Sequence, residues 1–424
     1  MTKPPRRISS NAPGRTPPAA RPGARRVKAP LQPGAAPVPA SLECFAIVAP
    51  GLEALALAEA RTLGLDATIV AGGGGIEWRG ALSSVLRANV GLRIASRVVV
   101  RVAQFEATSF AELERQARKI QWARVVAPGS TARFRVTCRK SRLYHSDAVA
   151  QRVADAVVRA LPGTRAEGAS GVADDDDDAT TAAAGEQLIV VRMFHDQCTI
   201  SADASGALLH RRGYRQATAK APMRETIAAA LLACSGWDGV APLVDPLCGS
   251  GTIPIEAALQ ARRLAPGASR AFAVERWPGV TRAMAARVRA ELAGEGLDRA
   301  PGPILGFDRD AGAIASAVAN GERAGVASDV RFADGAISRL ALPEGAPGWV
   351  VANPPYGVRV GDTERVRDLW ARMGSVLRER GRGWHLALLS PDPALERQLG
   401  IPLRVVATTT NGGIPVRLVT GQVR

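Results

Sequence analysis

Residues 241–252 read APLVDPLCGSGT. The apolar run before Asp245 has the composition of a buried strand, and Gly249 and Gly251 lie where a turn leads into the helix-forming segment TIPIEAALQARR. Glycines in such a turn let a ligand approach the backbone closely, and ligands of open α/β sheets bind at the carboxyl ends of the strands. The stretch therefore predicts a nucleotide-type cofactor site. The GxGxxG of dinucleotide-binding oxidoreductases and the GK[ST] of phosphate-binding loops are both absent.

The pattern around this stretch predicts the fold of the C-terminal half. From about residue 222, strand-like runs alternate with amphipathic helical segments, which indicates a doubly wound parallel α/β sheet. The last two strand-like runs flank Asn411 and Gly412, and Asn-Gly is a strong hairpin signal. We therefore expect the sheet to close with an antiparallel terminal hairpin.

Two aspartates follow later strand-like runs. Asp308 ends the run GFD, where its carboxylate can accept both hydrogen bonds of a ribose diol, and Asp334 ends the run FAD, placed to meet an adenine edge. A single aspartate at a strand end is more often a helix cap or a turn former. Two of them, in order after the glycine turn, favour an adenosyl ligand.

The segment Asn353-Pro354-Pro355-Tyr356 follows the apolar run WVVA. Consecutive prolines fix the backbone, so the side-chain amide of Asn353 and the carbonyl of Pro354 can both accept hydrogen bonds from an incoming amino group. An exocyclic amine of a base is a poor nucleophile, and two aligned acceptors hold its nitrogen in line with a methyl donor. Tyr356 offers a face for stacking a flipped base. The segment predicts transfer to a base amine, of guanine or adenine alike.

In this order, DPLCGSGT, GFD, FADG and NPPY resemble the motifs of class I S-adenosylmethionine-dependent amino-methyltransferases. Three further stretches, LHRRGYRQATAKAPMRETIAAALL, RAFAVERWPG and NPPYG, resemble more narrowly the THUMP-containing RNA guanine-N2 methyltransferases, closest to the bacterial 23S rRNA enzymes. FRVTCRKSRLYHSDAVAQRV resembles part of their THUMP domain. The resemblance covers about residues 44–424 and implies S-adenosylmethionine as the cofactor.

The resemblance also implies a role for each matching residue. The methionine part of the cofactor would be surrounded by Asp245, Gly249, Gly251 and Thr252. Asp308 would bind the ribose and Asp334 the adenine. Asn353, Pro354 and Tyr356 would hold the target guanine. One methyltransferase domain is present, so one activity is implied.

Composition and resemblance together divide the chain into four parts. Residues 1–40 carry ten prolines and eight Lys or Arg without one acid, which predicts a disordered basic tail. A ferredoxin-like subdomain is expected at 41–104, a THUMP domain at 105–205 and the methyltransferase domain at 206–424. An acidic insertion at 163–186 contains the run Asp174–Asp178, which we interpret as solvated rather than metal-binding.

The net charge indicates which kind of partner the protein binds, and the cysteine pattern bears on metal sites and disulfides. A net charge of +16 favours a polyanion, and ribosomal RNA is preferred over transfer RNA on the resemblance. Phosphate contacts are predicted for a group of basic residues flanking one strand and helix start, Arg133, Arg135, Arg139, Lys140 and Arg142. The five cysteines form no CxxC pair, so neither zinc nor a disulfide framework is expected. No run of eighteen apolar residues and no signal peptide is found, so we expect a cytoplasmic protein without membrane or metal.

Other functions stay open at this point. The first is a tRNA guanine-N2 methyltransferase. NPPY would equally serve adenine N6 in DNA or a glutamine side chain in a protein, although the THUMP-like half speaks against both. A further alternative is an RNA-binding assembly factor with a secondary methyltransferase role. Arg211, Arg212, Tyr214 and Arg215, at the junction of the two halves, either touch RNA or hold the domains together.

Overall fold

The computed structural model describes residues 41–169, 185–216, 223–356 and 363–424. The predicted basic tail and the aspartate run Asp174–Asp178 lie outside the described residues.

The N-terminal half is built on one mixed sheet. Its elements, in chain order, are β1 (Leu42–Ile47), α1 (Glu53–Thr62), β2 (Ala67–Ile69), β3 (Gly75–Gly80), α2 (Leu82–Gly91), β4 (Arg97–Glu106), α3 (Phe110–Ala117), β5 (Thr131–Arg139), α4 (Ser146–Ala160), β6 (Arg165–Ala169), β7 (Glu186–Phe194) and β8 (Gln197–Asp203). The strand order is β2-β3-β1-β4-β8-β7-β5-β6. Neighbouring strands are antiparallel except β5, which runs parallel to both β6 and β7.

The pairing of β4 with β8 joins the ferredoxin-like and THUMP regions into this one sheet. The expected boundary between residues 104 and 105 therefore falls inside β4, and the four domain boundaries stay predictions. The strand β6 lies within the range that we assigned to the acidic insertion. Its residues pair with β5, so part of that range belongs to the sheet.

The C-terminal half contains α5 (Glu225–Ser235), β9 (Leu243–Asp245), α6 (Thr252–Ala261), α7 (Arg282–Ala293), β10 (Ile304–Asp308), α8 (Ala311–Arg323), β11 (Val330–Asp334), β12 (Trp349–Ala352), α9 (Thr363–Arg380), β13 (His385–Ser390), α10 (Pro393–Leu399), β14 (Leu403–Asn411) and β15 (Ile414–Gln422). The sheet order is β11-β10-β9-β12-β13-β15-β14. The first five strands are parallel, and β15 runs antiparallel to both β13 and β14. The predicted fold class, a doubly wound methyltransferase sheet with an antiparallel terminal hairpin behind ferredoxin-like and THUMP domains, is confirmed.

One hydrophobic core crosses the regions that the sequence separates. Leu52 beside α1, Phe134 in β5, Ile227 in α5 and Phe272 before α7 are all buried members of the same cluster. A second cluster, around Trp370 of α9, fills the space between that helix and the strands β12 and β13. Apolar burial of this extent is the main force that holds the two halves together.

Among the described residues, no helix combines the length and the apolar run that a membrane span needs. The same residues contain no group of three or more His, Cys, Asp or Glu side chains placed to hold a metal ion.

Candidate active site

The glycine turn after β9 has the backbone that the sequence predicts for a ligand turn. Gly249 has φ +53° and Gly251 φ +85°, a region that residues with a Cβ seldom adopt. A Cβ on Gly251 would lie 2.9 Å from the Cβ of Ala317, whereas a Cβ on Gly249 would meet nothing within 4 Å. Gly251 is therefore required for packing as well as conformation, and the space beside Gly249 is open. Thr252, also predicted for this site, is buried as the first residue of α6.

Asp308 is held against this turn. Its Oδ2 accepts a hydrogen bond from the Gly249 N–H at 2.9 Å, and its Oδ1 accepts one from the Asp310 N–H at 3.0 Å. The Cys248 N–H donates to the Phe307 carbonyl at 2.8 Å and ties the same two segments together. Asp334 is exposed at the end of β11, in register with Asp308. Thus the two predicted adenosyl carboxylates lie at adjacent strand ends beside the turn.

Asp245, the last residue of β9, is a buried acid. Its Oδ1 accepts a hydrogen bond from the Leu247 N–H at 3.0 Å. Burial raises the pKa of Asp245 well above its ordinary value, and the nearby Asp308 carboxylate raises it further. A cation bound beside Asp245 would oppose both effects and favour its ionised form.

The NPPY segment begins directly after β12. The Tyr356 hydroxyl donates to Asn353 Oδ1 at 2.7 Å, and Asn411 Nδ2 donates to the Tyr356 oxygen at 3.3 Å. Pro354 is buried, and the Pro355 carbonyl accepts a long bond from the Trp370 indole at 3.5 Å. Burial raises the pKa of Tyr356, so its hydroxyl stays protonated and can donate. The predicted acceptor of Asn353 is thus occupied by the neighbouring tyrosine.

Cys248 lies inside the glycine turn but is buried, and burial raises the pKa of its thiol well above the ordinary value. A thiol that stays protonated is a weak nucleophile. Cys248 is therefore poorly suited to act as a nucleophile.

The five basic residues predicted to contact phosphate do not share one environment. Arg135 is 5% exposed, so its side chain lacks the accessible surface that a phosphate contact needs. Arg133 is half-buried, and its guanidinium makes ion pairs with Glu186 at 3.0 Å and Glu167 at 3.5 Å. Arg139, Lys140 and Arg142 are exposed at the end of β5 and in the loop after it. The phosphate contacts of these three stay predictions.

Around these three residues the structure gathers aromatic side chains that sequence reasoning missed. Tyr144 is 69% exposed and Phe194 40% exposed, and the Arg192 guanidinium lies 5.4 Å from the Phe194 ring centroid. We name the whole group the basic–aromatic patch: Arg139, Lys140, Arg142, Tyr144, His145, Arg192, Phe194 and His195.

Hydrogen bonds from backbone N–H groups to side-chain oxygens hold the two segments of the patch together. The Arg142 N–H donates to Asp196 Oδ1 at 2.7 Å, and the Asp196 N–H donates to Ser141 Oγ at 3.0 Å. The turn between β7 and β8 has positive φ at both His195 and Asp196. Exposed aromatics beside cations suit unpaired nucleotides, and the sequence signal was the aromatic pair Phe194-His195 at a hairpin turn.

Two of the four junction residues, Arg212 and Tyr214, are buried. Arg212 is buried, with its Nε 3.4 Å from Glu256 Oε1 of α6 and a 2.6 Å bond from Nη2 to the Arg93 carbonyl. The Tyr214 hydroxyl donates to the same Glu256 oxygen at 3.1 Å. Arg212 therefore connects the two halves, whereas Tyr214 bonds to the same Glu256 from within the methyltransferase half. Both side chains are buried, so neither is placed to touch RNA.

The stretch RAFAVERWPG forms a second connection. The Trp277 indole N–H donates to Gln187 Oε1 of β7 at 2.8 Å, and both residues are buried. The Val274 N–H donates to the Ala204 carbonyl at 2.9 Å, and Arg270 donates to the Leu208 carbonyl at 2.7 Å. This stretch therefore fixes the methyltransferase half to the strand ends of the THUMP sheet.

The sheet order with its terminal hairpin, the glycine turn with its two acidic strand ends, and NPPY beyond the neighbouring strand define a class I S-adenosylmethionine-dependent methyltransferase. Family models agree along the chain: an RlmL ferredoxin-like domain matches residues 43–99, a THUMP domain 107–168, and the RMKL-like methyltransferase domain 212–416. The chain belongs to the THUMP-containing, RlmL-like family of RNA methyltransferases.

Individual relatives agree with this assignment. The chain is 32% identical over 376 residues to the putative RNA methyltransferase slr0064 of Synechocystis, covering 88% of this chain and 95% of that protein. It is 35% identical over 397 residues to the ribosomal RNA large subunit methyltransferase K/L of Methylococcus capsulatus, covering 90% of this chain but 51%, about half, of the relative. The structure of SMU.472, a putative methyltransferase complexed with SAH, matches at 28% identity and a TM-score of 0.79 over 91% of this chain and 99% of that one. The predicted family and enzyme class are confirmed.

Proposed function

We propose that this protein transfers a methyl group from S-adenosylmethionine to the exocyclic N2 amine of a guanine in 23S ribosomal RNA by direct in-line displacement. The observation that carries the proposal is that the glycine turn and the NPPY segment lie next to each other. β9, which leads into the glycine turn, and β12, which leads into Asn353, are neighbouring parallel strands, so both segments lie at the same edge of the sheet. A methyl donor on one strand end and an amine on the next are then within reach of each other.

The residues at the turn fit the proposed cofactor. Gly249 leaves open space beside the backbone, and both oxygens of Asp308 keep a lone pair beyond the backbone bonds they accept. Asp308 would bind the ribose, Asp334 the adenine, and buried Asp245 the methionine part with Gly251 and Thr252. When bound, S-adenosylmethionine supplies an electrophilic methyl group on a sulfonium centre.

The residues at NPPY would prepare the amine. As the base enters, one amino N–H replaces the Tyr356 hydroxyl as the donor to Asn353 Oδ1, and the second amino N–H donates a hydrogen bond to the Pro354 carbonyl. Two acceptors favour the positive charge that develops on nitrogen as it attacks. The ring of Tyr356 would stack on the base and hold it in the site.

The choice of substrate rests on the relatives and on the front half. The K/L relative is named for the large ribosomal subunit, and the THUMP match together with the basic–aromatic patch supports structured RNA with unpaired bases as the substrate. A cytoplasmic location goes with this proposal. Guanine is preferred to adenine on the family alone, since the acceptors at NPPY suit either amine.

The test is transfer of labelled methyl from S-adenosylmethionine to total RNA of cells lacking the protein. After separation of ribosomal from transfer RNA, digestion should show label as N2-methylguanosine in the large ribosomal RNA. Label on adenine would refute the base, and label confined to transfer RNA would refute the substrate. Absence of label, with cofactor binding intact, would support an assembly role instead.

Replacing the predicted acceptor tests the catalytic role. Asn353→Ala is expected to lower kcat by on the order of 10²-fold, because one preorganised group aimed at the developing charge is lost. Cofactor affinity, measured by calorimetry, should stay within about twofold, since Asn353 lies on the neighbouring strand end. Unchanged turnover would remove Asn353 from the mechanism.

A further inference from the structure

Asn411, at the tip of the terminal hairpin, is joined to the candidate active site. Its Nδ2 donates to the Tyr356 hydroxyl oxygen at 3.3 Å, and that hydroxyl donates to Asn353 Oδ1 at 2.7 Å. The three side chains form one chain of hydrogen bonds from β14 to the end of β12. Only Tyr356 therefore separates Asn411 from Asn353 Oδ1, the atom that we propose accepts a hydrogen bond from the amine.

The position of the hairpin turn makes this contact possible. The turn residues are Gly412, with φ +58°, and Gly413, with φ +80°, as a two-residue type I′ turn requires. Asn411 is the last residue of β14 and pairs with Ile414 across the turn. The two glycines occupy the central positions of the turn, so Asn411 lies in the strand before it. From there its side-chain amide reaches Tyr356.

The stem of the hairpin is packed against the ferredoxin-like region. Gly51, with φ +85°, approaches β14 so closely that a Cβ there would lie 1.9 Å from the Thr408 carbonyl oxygen. Thr408 precedes Asn411 by three residues on the same strand. The hairpin tip is thus held in place rather than projecting freely.

We propose that Asn411 is a positioning residue for methyl transfer, acting through Tyr356. A hydroxyl can donate one hydrogen bond, and in the ligand-free protein the Tyr356 hydroxyl donates it to Asn353. When the incoming amine replaces the hydroxyl at Asn353, Asn411 remains the hydrogen-bond partner of Tyr356 and keeps its ring over the base. This role rests on the proposed function, because it assumes that the base amine binds at Asn353.

The contact can be measured without activity. The chain has three tyrosines, so protein labelled with 3-fluorotyrosine should give three ¹⁹F signals, and Tyr356→Phe identifies one of them. Asn411→Ala should shift or broaden the Tyr356 signal and leave those of Tyr144 and Tyr214 in place. Thr410→Ala, an exposed neighbour on the same strand, is the control and should move none. A Tyr356 signal that is unchanged in Asn411→Ala overturns the proposal.

A double-mutant cycle separates positioning from a structural effect. In the wild-type background Asn411→Ala should lower kcat for the RNA about tenfold, while the affinity for S-adenosylmethionine is unchanged. In the Tyr356→Phe background, which keeps the ring but lacks the hydroxyl, the same substitution should change kcat less than about twofold. Equal losses in both backgrounds would mean that Asn411 only supports the hairpin.

The outcomes distinguish failure of the positioning role of Asn411 from failure of the proposed function. If wild-type protein methylates RNA but the Tyr356 signal and the cycle show no link to Asn411, the positioning role is wrong and the proposed function stands. If the Tyr356 signal responds to Asn411→Ala but no RNA is methylated, the proposed function is wrong and the contact stands.

Discussion

Asp245, which we propose to bind the methionine part of the cofactor, is an acid whose ionisation opposes folding. It is buried, accepts one backbone hydrogen bond and lies beside the Asp308 carboxylate. The folded protein thus holds its pKa above that of the unfolded chain. Such a group favours folding below the unfolded pKa, and this contribution is lost as pH rises through the folded pKa.

We therefore expect Asp245→Asn to raise the Tm of the ligand-free protein, with a larger gain at pH 8 than at pH 5. The amide oxygen can still accept the bond from Leu247, but the buried charge is gone. The same variant should bind S-adenosylmethionine more weakly, as calorimetry would show. A lower Tm at pH 8 would contradict the raised pKa. As a control, Asp238→Asn removes an exposed acid whose pKa is lowered by bonds from Ala241 and Val240, and should destabilise the protein.

Single residues also show the limits of sequence patterns. Arg135 and Arg139 lie on the same strand, β5, yet Arg135 is buried and Arg139 exposed. β7 pairs with β5 as far as Arg139, whereas the described pairs of β6 with β5 end at Arg135, and both strands come from later in the chain. Asn411 was predicted as a turn residue, and the register of β14 with β15 moves the turn one residue onward.

At the scale of elements, the basic–aromatic patch joins the end of β5, the loop after it and the hairpin of β7 and β8. Replacing both Tyr144 and Phe194 with Ala should weaken RNA binding, because stacking of a base on an aromatic ring contributes about 1–3 kcal/mol. Affinity for S-adenosylmethionine should not change. Filter binding of the RNA and calorimetry of the cofactor would measure the two.

The cations of the patch should act through phosphate instead. Each of Arg139→Ala, Lys140→Ala and Arg142→Ala is expected to reduce the salt dependence of RNA binding, by about 0.7–0.9 in the slope of log K against log salt. Arg159→Ala is the matched control: it is exposed at the far end of α4, roughly 20 Å along the helix from Ser146. An equal effect of Arg159→Ala would mean that the whole domain, not the patch, attracts RNA.

At the scale of the whole molecule, the stretch around Trp277 links the THUMP sheet to the methyltransferase half. Trp277→Phe keeps a buried ring but leaves Gln187 Oε1 without its indole donor. We expect a loss of about 1–3 kcal/mol in the free energy of unfolding, measured with guanidinium. The KM for RNA should rise as well, because the THUMP domain is then less firmly oriented.

Trp237→Phe is the matched control for this prediction. The Trp237 indole donates to the Ala241 carbonyl at 2.8 Å, within the methyltransferase half. Its loss should lower stability while leaving the KM for RNA near the wild-type value. If both variants changed the KM alike, the effect of Trp277 would be one of stability alone.

The sequence by itself determined the local features and their order. The glycine turn, the aspartates at residues 308 and 334, NPPY and the alternating strands and helices are all readable because short-range stereochemistry and hydrophobic periodicity encode them. The family resemblance then supplied the domain order and the cofactor class. Helices α7 and α10 and strand β6 were not predicted: β6 lies in the segment that we assigned to the acidic insertion, and α10 is short.

Only the tertiary structure decided which of these features meet. It placed β9 beside β12, tied Asp308 to Gly249, set Tyr356 between Asn353 and Asn411, and buried Arg135. The partners in each case lie far apart in the chain, except the local pair Asn353 and Tyr356. Sheet order and burial result from the packing of many elements at once, which no local stretch encodes.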